Sequence, residues 1–123
     1  MNMPWNSKIL AISAITILVV LFSCKEKVEI TDGLRKVYTQ SFMVGEIDEC
    51  RYQGELVYIA DPNAYDAGSG VFDKEGNPIG TCNYAWGPID SLCSQLKDCK
   101  VIYRVKDHIS GEPPVDKYGL GKK

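Results

Sequence analysis

The sequence predicts a small α+β domain: an antiparallel sheet of about five strands with one helix, near residues 88–98, packed on it. Three observations carry this prediction. Short runs of β-branched and aromatic residues alternate with turn signals such as Gln53-Gly54. A single stretch, residues 88–97, has the apolar spacing of a helix. Four cysteines, Cys50, Cys82, Cys93 and Cys99, are spread through the same region, an even number that suits two disulfides.

Taken in order, residues 36–44 (KVYTQSFMV) read as a strand because of their β-branched and aromatic content. Strands at 49–52 and 55–60 follow, joined by Gln53-Gly54, a two-residue link whose glycine suits the positive φ of a tight hairpin. In that register Cys50 faces Val57 and Asp48 faces Ile59, which puts Cys50, Val57 and Ile59 on one side of the sheet. Residues 61–70 (DPNAYDAGSG) form a loop. Residues 71–73 and 78–82 make a second hairpin around Lys74-Glu75-Gly76-Asn77, and residues 83–87 turn again at Trp86.

In residues 88–97 (PIDSLCSQLK), Ile89, Leu92, Cys93 and Leu96 recur at helical spacing and mark one buried face. Pro88 suits a first turn, and Asp90 and Lys97 complement the helix dipole. Residues 99–106 (CKVIYRVK) alternate as a strand, and residues 108–123, rich in Gly, Pro and charge, read as a partly ordered tail. The domain proper is therefore 36–107. Four cysteines allow three pairings, which sequence alone leaves open. Their intervening spacings of 31, 10 and 5 residues lack the close pairs of a zinc site.

The first 23 residues differ in kind. Lys8 is their only charge, and residues 9–22 form an uncharged run of 14. A short basic start before an apolar core is the layout of a signal peptide. As a helix the run would span roughly 21 Å, short of the ~30 Å hydrocarbon core of a bilayer. Its end, Leu21-Phe22-Ser23-Cys24, resembles the lipobox of bacterial lipoproteins. That resemblance implies a diacylglyceryl group on the Cys24 thiol, cleavage before Cys24, and acyl chains such as palmitate holding the mature chain to a membrane. Two or more chains hold a protein stably where one does not. Residues 24–35 then form a polar leader. Because Lys25 replaces the aspartate that favours inner-membrane retention in such proteins, the expected address is the outer membrane of the cell envelope.

Without residues 1–23 the chain carries 13 basic and 16 acidic residues, a net of −3. Nucleic-acid partners, which want a basic surface, are not expected. Residues Tyr52-Gln53-Gly54, then Val71-Phe72-Asp73-Lys74-Glu75-Gly76-Asn77, then Cys82, resemble segments of small envelope lipoproteins of the Bacteroidota type. The resemblance implies an envelope address and supplies no activity.

Candidate chemistry is sparse. Asp61, Asn63, Asp66 and Ser69 share one loop and could offer oxygens to calcium, but turns prefer the same residues. Asp73, Glu75 and Asn77 read as turn formers. His108 is the only histidine, no G-x-S-x-G elbow is present, and the cysteine count leaves no thiol spare. No catalytic, cofactor or metal residue is assigned, and the chain reads as non-enzymatic. Of the aromatics Tyr58, Tyr65, Tyr84, Trp86 and Tyr103, three fall in expected loops: Tyr65, Tyr84 and Trp86. Loops are where binding residues collect, and these three are the candidate binding surface. The expected function is to present a small disulfide-bonded domain to an envelope protein or ligand. Inhibition of a secreted hydrolase such as a protease is the alternative.

Overall fold

The computed structural model describes residues 29–41, 44–65, 67–83 and 89–122. The signal-peptide residues, Cys24, Asp66, Tyr84 and Trp86 lie outside them. The fold is α+β, with one α-helix, a six-stranded antiparallel sheet and two disulfides. Helix α1 (Asp32–Gln40) is followed by β1 (Val44–Tyr52), β2 (Glu55–Pro62), β3 (Ser69–Asp73) and β4 (Pro78–Cys82). A 3₁₀ helix, η1 (Ser91–Gln95), leads into β5 (Lys97–Arg104) and the short β6 (Val115–Asp116). The strand order is β4-β3-β2-β1-β5-β6.

The β1–β2 hairpin follows the sequence closely. Gln53 and Gly54 both have positive φ, 50° and 79°, as a type I′ turn requires. Cys50 pairs with Val57 and Asp48 with Ile59, as the alternation predicts. Strand β1 begins earlier than expected, at Val44.

Helix α1 corrects the strand expected over residues 36–44, and it starts within the stretch read as a polar leader. Val37, Tyr38 and Thr39 carry the strand propensity, but three local features favour the helix. The Thr31 hydroxyl accepts the Leu34 N–H at 3.1 Å as an N-cap, and Asp32 sits in the first turn. Gly33, Leu34 and Val37 make one buried stripe. The helix then docks on the β3–β4 turn: Lys36 Nζ donates to Asn77 Oδ1 at 2.8 Å, and Gln40 Nε2 to the Gly76 carbonyl at 2.7 Å. Gly33 permits this approach, since a Cβ there would overlap the Lys74 carbonyl. Tertiary docking of this kind routinely overrides propensity.

The helix expected over 88–98 is also corrected. Only Ser91–Gln95 is helical, as a 3₁₀ turn, and Lys97 already belongs to β5. A short isolated α-helix is marginal in water. Here Asp90 turns away to accept the Thr81 N–H at 2.8 Å, the Cys82–Cys93 bond ties η1 to β4, and Lys97 pairs with Arg51 of β1. Cys93 is buried, Leu92 and Leu96 pack against the same cluster, and Ile89 stays exposed.

The sheet has two differently covered faces. Ile47, Tyr58, Ala60 and Tyr103 turn toward α1 and bury with Leu34, Val37 and Ile102. On the opposite face Cys50, Val57 and Val71 pack with Cys82 and Cys93, backed by Ile59, Leu92 and Leu96. The pairing left open by sequence is Cys50–Cys99, between adjacent strands β1 and β5, and Cys82–Cys93. Residues 108–122 add β6 and pack Tyr118 and Leu120 against the helix-side core.

Candidate functional site

The β2–β3 loop leaves the sheet between Pro62 and Ser69 and carries Tyr65, which is 80% exposed. Its base is held at two points. The Asp61 carboxylate accepts a hydrogen bond from the Ser69 hydroxyl. Asn63 Oδ1 accepts the Ile109 N–H at 2.9 Å, tying the loop to the segment after β5. Gly45 lies against Asn63, where a Cβ would meet the Asn63 backbone at 2.8 Å.

Ser69 pairs with Cys82, and Gly68 lies against Asn83. The end of β4 therefore lies beside the β3 side of the Tyr65 loop. Tyr84 and Trp86, which lie on that continuation, are outside the described residues. Ile109 is also exposed and sits on the segment bonded to Asn63. Tyr58 and Tyr103, by contrast, are core residues on the helix-covered face.

On the face opposite α1, the loop candidate Asp61 joins Glu46, Asp48 and Arg104 in a polar group that the sequence pattern does not bring together. Glu46 and Asp48 alternate along β1, and Glu46 is paired with both Asp61 of β2 and Arg104 of β5. Arg104 Nε donates to Glu46 Oε2 at 2.7 Å, and its Nη1 donates to the Pro113 carbonyl at 3.0 Å. Burial, then the negative charges of Glu46 and Asp61, push the Asp48 carboxyl up to about 6, with Arg104 opposing. Burial likewise raises Asp61, and the Ser69 hydroxyl offsets part of that rise. Asp48 Oδ1 is buried with no hydrogen-bond partner among the described residues. The only advance signal was the spacing of Glu46 and Asp48 two apart in a strand.

The other sequence candidates have structural occupations. Asp73 Oδ1 accepts the N–H groups of Glu75 and Asn77 at 3.0 and 2.8 Å, closing the β3–β4 turn. His108 Nδ1 lies 2.8 Å from the Ser110 hydroxyl and 3.1 Å from its N–H, in a turn of its own. Asp61, Asn63 and Ser69 direct oxygens at one another or at Ile109, and no metal-binding group of three His, Cys, Asp or Glu side chains occurs among the described residues.

No family model, no curated protein and no solved structure matches the chain.

Proposed function

We propose that this chain is a lipid-anchored lipoprotein of the bacterial cell envelope, held in the outer membrane through Cys24. In this reading it is not an enzyme. It binds an envelope protein or ligand through the loops at the Tyr65 end of the sheet, and Tyr84 and Trp86 stay candidate contacts on the strength of the sequence. The observation that supports the reading best is Tyr65 itself, 80% exposed at the tip of a loop whose base is tied down. An exposed aromatic on a pre-ordered loop offers contact area at low entropic cost.

Pull-down from detergent-solubilised envelope is the test, with Tyr65→Ala and Trp86→Ala beside the wild-type chain. Loss of a partner in either variant is the expected result. An unchanged set of partners in both variants would remove the loop surface from consideration.

The tethered loop also favours a second reading, inhibition of a secreted hydrolase, because a fixed exposed loop is what a protease inhibitor presents. Incubation with a panel of proteases separates the two. Failure to inhibit any of them at about micromolar protein disposes of the inhibitor reading.

A further inference from the structure

The two edges of the sheet are finished differently. Along β4, Pro78 has no N–H to offer, and the Thr81 N–H donates to Asp90 Oδ2 at 2.8 Å. Leu92 lies over Gly80, so closely that a Cβ on Gly80 would overlap it. This edge is closed in the ways that natural sheets use against unwanted pairing.

The β5 edge is closed over only part of its length. Strand β6 pairs with Tyr103 and Arg104 alone, and the Lys117 N–H donates to the Ile102 carbonyl at 2.9 Å. From there the chain departs, and Tyr118 crosses the helix-covered side to donate its hydroxyl to Glu49 at 2.8 Å. Peptide groups along a strand alternate in direction. A bulge at Ile102 shifts this phase: Lys100 pairs with Glu49 and faces β1, so it is Val101 that turns its peptide groups outward, and no strand pairs with them among the described residues. Lys97, Asp98, Cys99 and Lys100 are all exposed.

The charges on this open half are lopsided. Arg51 and Lys97 are directly opposed across β1 and β5, an arrangement that costs energy without an anion nearby. Neither they nor Lys100 form an ion pair among the described residues. Glu49, opposite Lys100, is engaged by Tyr118. At its Lys97 end the edge opens into a groove of about 500 Å³ lined by Arg51, Gln53, Ser94, Gln95, Lys97 and Asp98.

We infer that the open half of β5, residues 97–101, is a docking edge for an extended acidic segment of a partner protein. The segment adds as a strand beside Val101, and its carboxylates neutralise Arg51, Lys97 and Lys100, with one end lying in the groove. Backbone hydrogen bonds give such an addition its affinity, and the flanking charges select the sequence. The edge lies at the β1–β2 hairpin end of the sheet, away from the Tyr65 loop, so it is independent of the function proposed above.

The test uses the full chain in neutral detergent and a fluorescent peptide of alternating Glu and Thr. Three probes accompany it: a Lys-Thr peptide, a Glu-Thr peptide N-methylated at alternate residues, and phosphatidylglycerol vesicles. The Glu-Thr peptide should bind and weaken several-fold as salt rises from about 50 to about 200 mM. The double variant Lys97→Glu/Lys100→Glu should lose at least about tenfold in affinity while melting as wild type does. Tyr65→Ala should bind the peptide unchanged, which separates this edge from the loop surface. No binding at about 1 mM peptide, or equal binding of the Lys-Thr peptide, would overturn the inference. Equal binding of the N-methylated peptide would reduce the patch to plain charge attraction, and displacement of the peptide by the vesicles would make it a lipid-headgroup surface. Either result also overturns it.

Discussion

Cys50 and Cys99 are joined across neighbouring strands with their Cα atoms 4.1 Å apart, yet Cys50 is 1% exposed while Cys99 is exposed. The Cys82–Cys93 bond has both partners buried. An attacking thiol or phosphine needs access to a sulfur, so the two bonds differ in reach before they differ in anything else. Cys50–Cys99 should open first under mild reduction. Partial reduction, trapping by alkylation and peptide mapping by mass read the order directly, and earlier labelling of Cys82 and Cys93 would contradict it.

The same two bonds should differ in what they contribute to stability. Loop-closure entropy assigns about 4 kcal/mol to Cys50–Cys99, which spans 49 residues, and about 3 kcal/mol to Cys82–Cys93, which spans 11. Paired Cys→Ala variants unfolded in denaturant measure both. A larger loss from the shorter loop would mean that η1 packing, and not chain entropy, dominates there.

Asp48 makes stability depend on pH in an unusual direction. Its carboxyl titrates near 6 in the folded chain, against an ordinary value of 3.8. The folded state therefore holds the proton more tightly than the unfolded state does. Stability from this group is complete below about pH 3.8 and is lost as the pH rises through about 6. Asp48→Asn mimics the protonated form. It should stabilise the protein at pH 7 by on the order of 1–2 kcal/mol, after discounting for partial solvent exposure, and make little difference near pH 4. Denaturant midpoints of both proteins at the two pH values check the sign. A variant that is less stable than wild type at pH 7 would refute the assignment.

Gly33 sets the distance between α1 and the β3–β4 turn. A Cβ at Gly33 would overlap the Lys74 carbonyl, and Gly76 opposes it with φ +84° and the Gly33 carbonyl only 2.7 Å from its own would-be Cβ. Gly33→Ala should cost about 2–3 kcal/mol through overpacking, despite alanine's better helix propensity. Gly54→Ala, at positive φ with open space around it, should cost only about 1 kcal/mol. Thermal melting of both variants makes the comparison. Stabilisation by Gly33→Ala would show that the helix stands off from the turn.

What sequence could convey follows the range of the interactions. The β1–β2 register was legible because Gln53-Gly54 and the alternation around it are local, and so was the Asp73 turn. Helix α1 was not, because its cap at Thr31 is weak evidence beside the strand-like Val37-Tyr38-Thr39, and its docking partners Gly76 and Asn77 lie 36 and 41 residues away. The pattern at 88–97 was real but shorter than it looked: Leu92, Cys93 and Leu96 turn inward from one 3₁₀ turn and the residue after it. Tyr65 could be placed in a loop from its neighbours alone. The Asn63–Ile109 bond that steadies the loop spans 46 residues, and the Glu46–Arg104 pair spans 58. Only sheet topology brings such partners together. The extra strand β6 arises in a Gly- and Pro-rich stretch because Asp116 accepts the Leu120 and Gly121 N–H groups at 2.6 and 2.9 Å, folding the chain back on itself.

The proposed anchor makes the last prediction. An apolar run of 14 residues reaches roughly 21 Å as a helix, so it is poorly matched to a ~30 Å bilayer core as a permanent span. Retention at the membrane then depends on acyl chains at Cys24, each buried CH₂ contributing about 0.8 kcal/mol. Cys24→Ala removes the only thiol at the junction between the apolar run and the charged leader. Labelling with radioactive palmitate should disappear, and the protein should accumulate at the mass of the uncleaved precursor. Ordinary cleavage of the variant near residue 23 would point to a plain secretory signal, and an unlabelled wild-type chain would refute the lipid anchor outright.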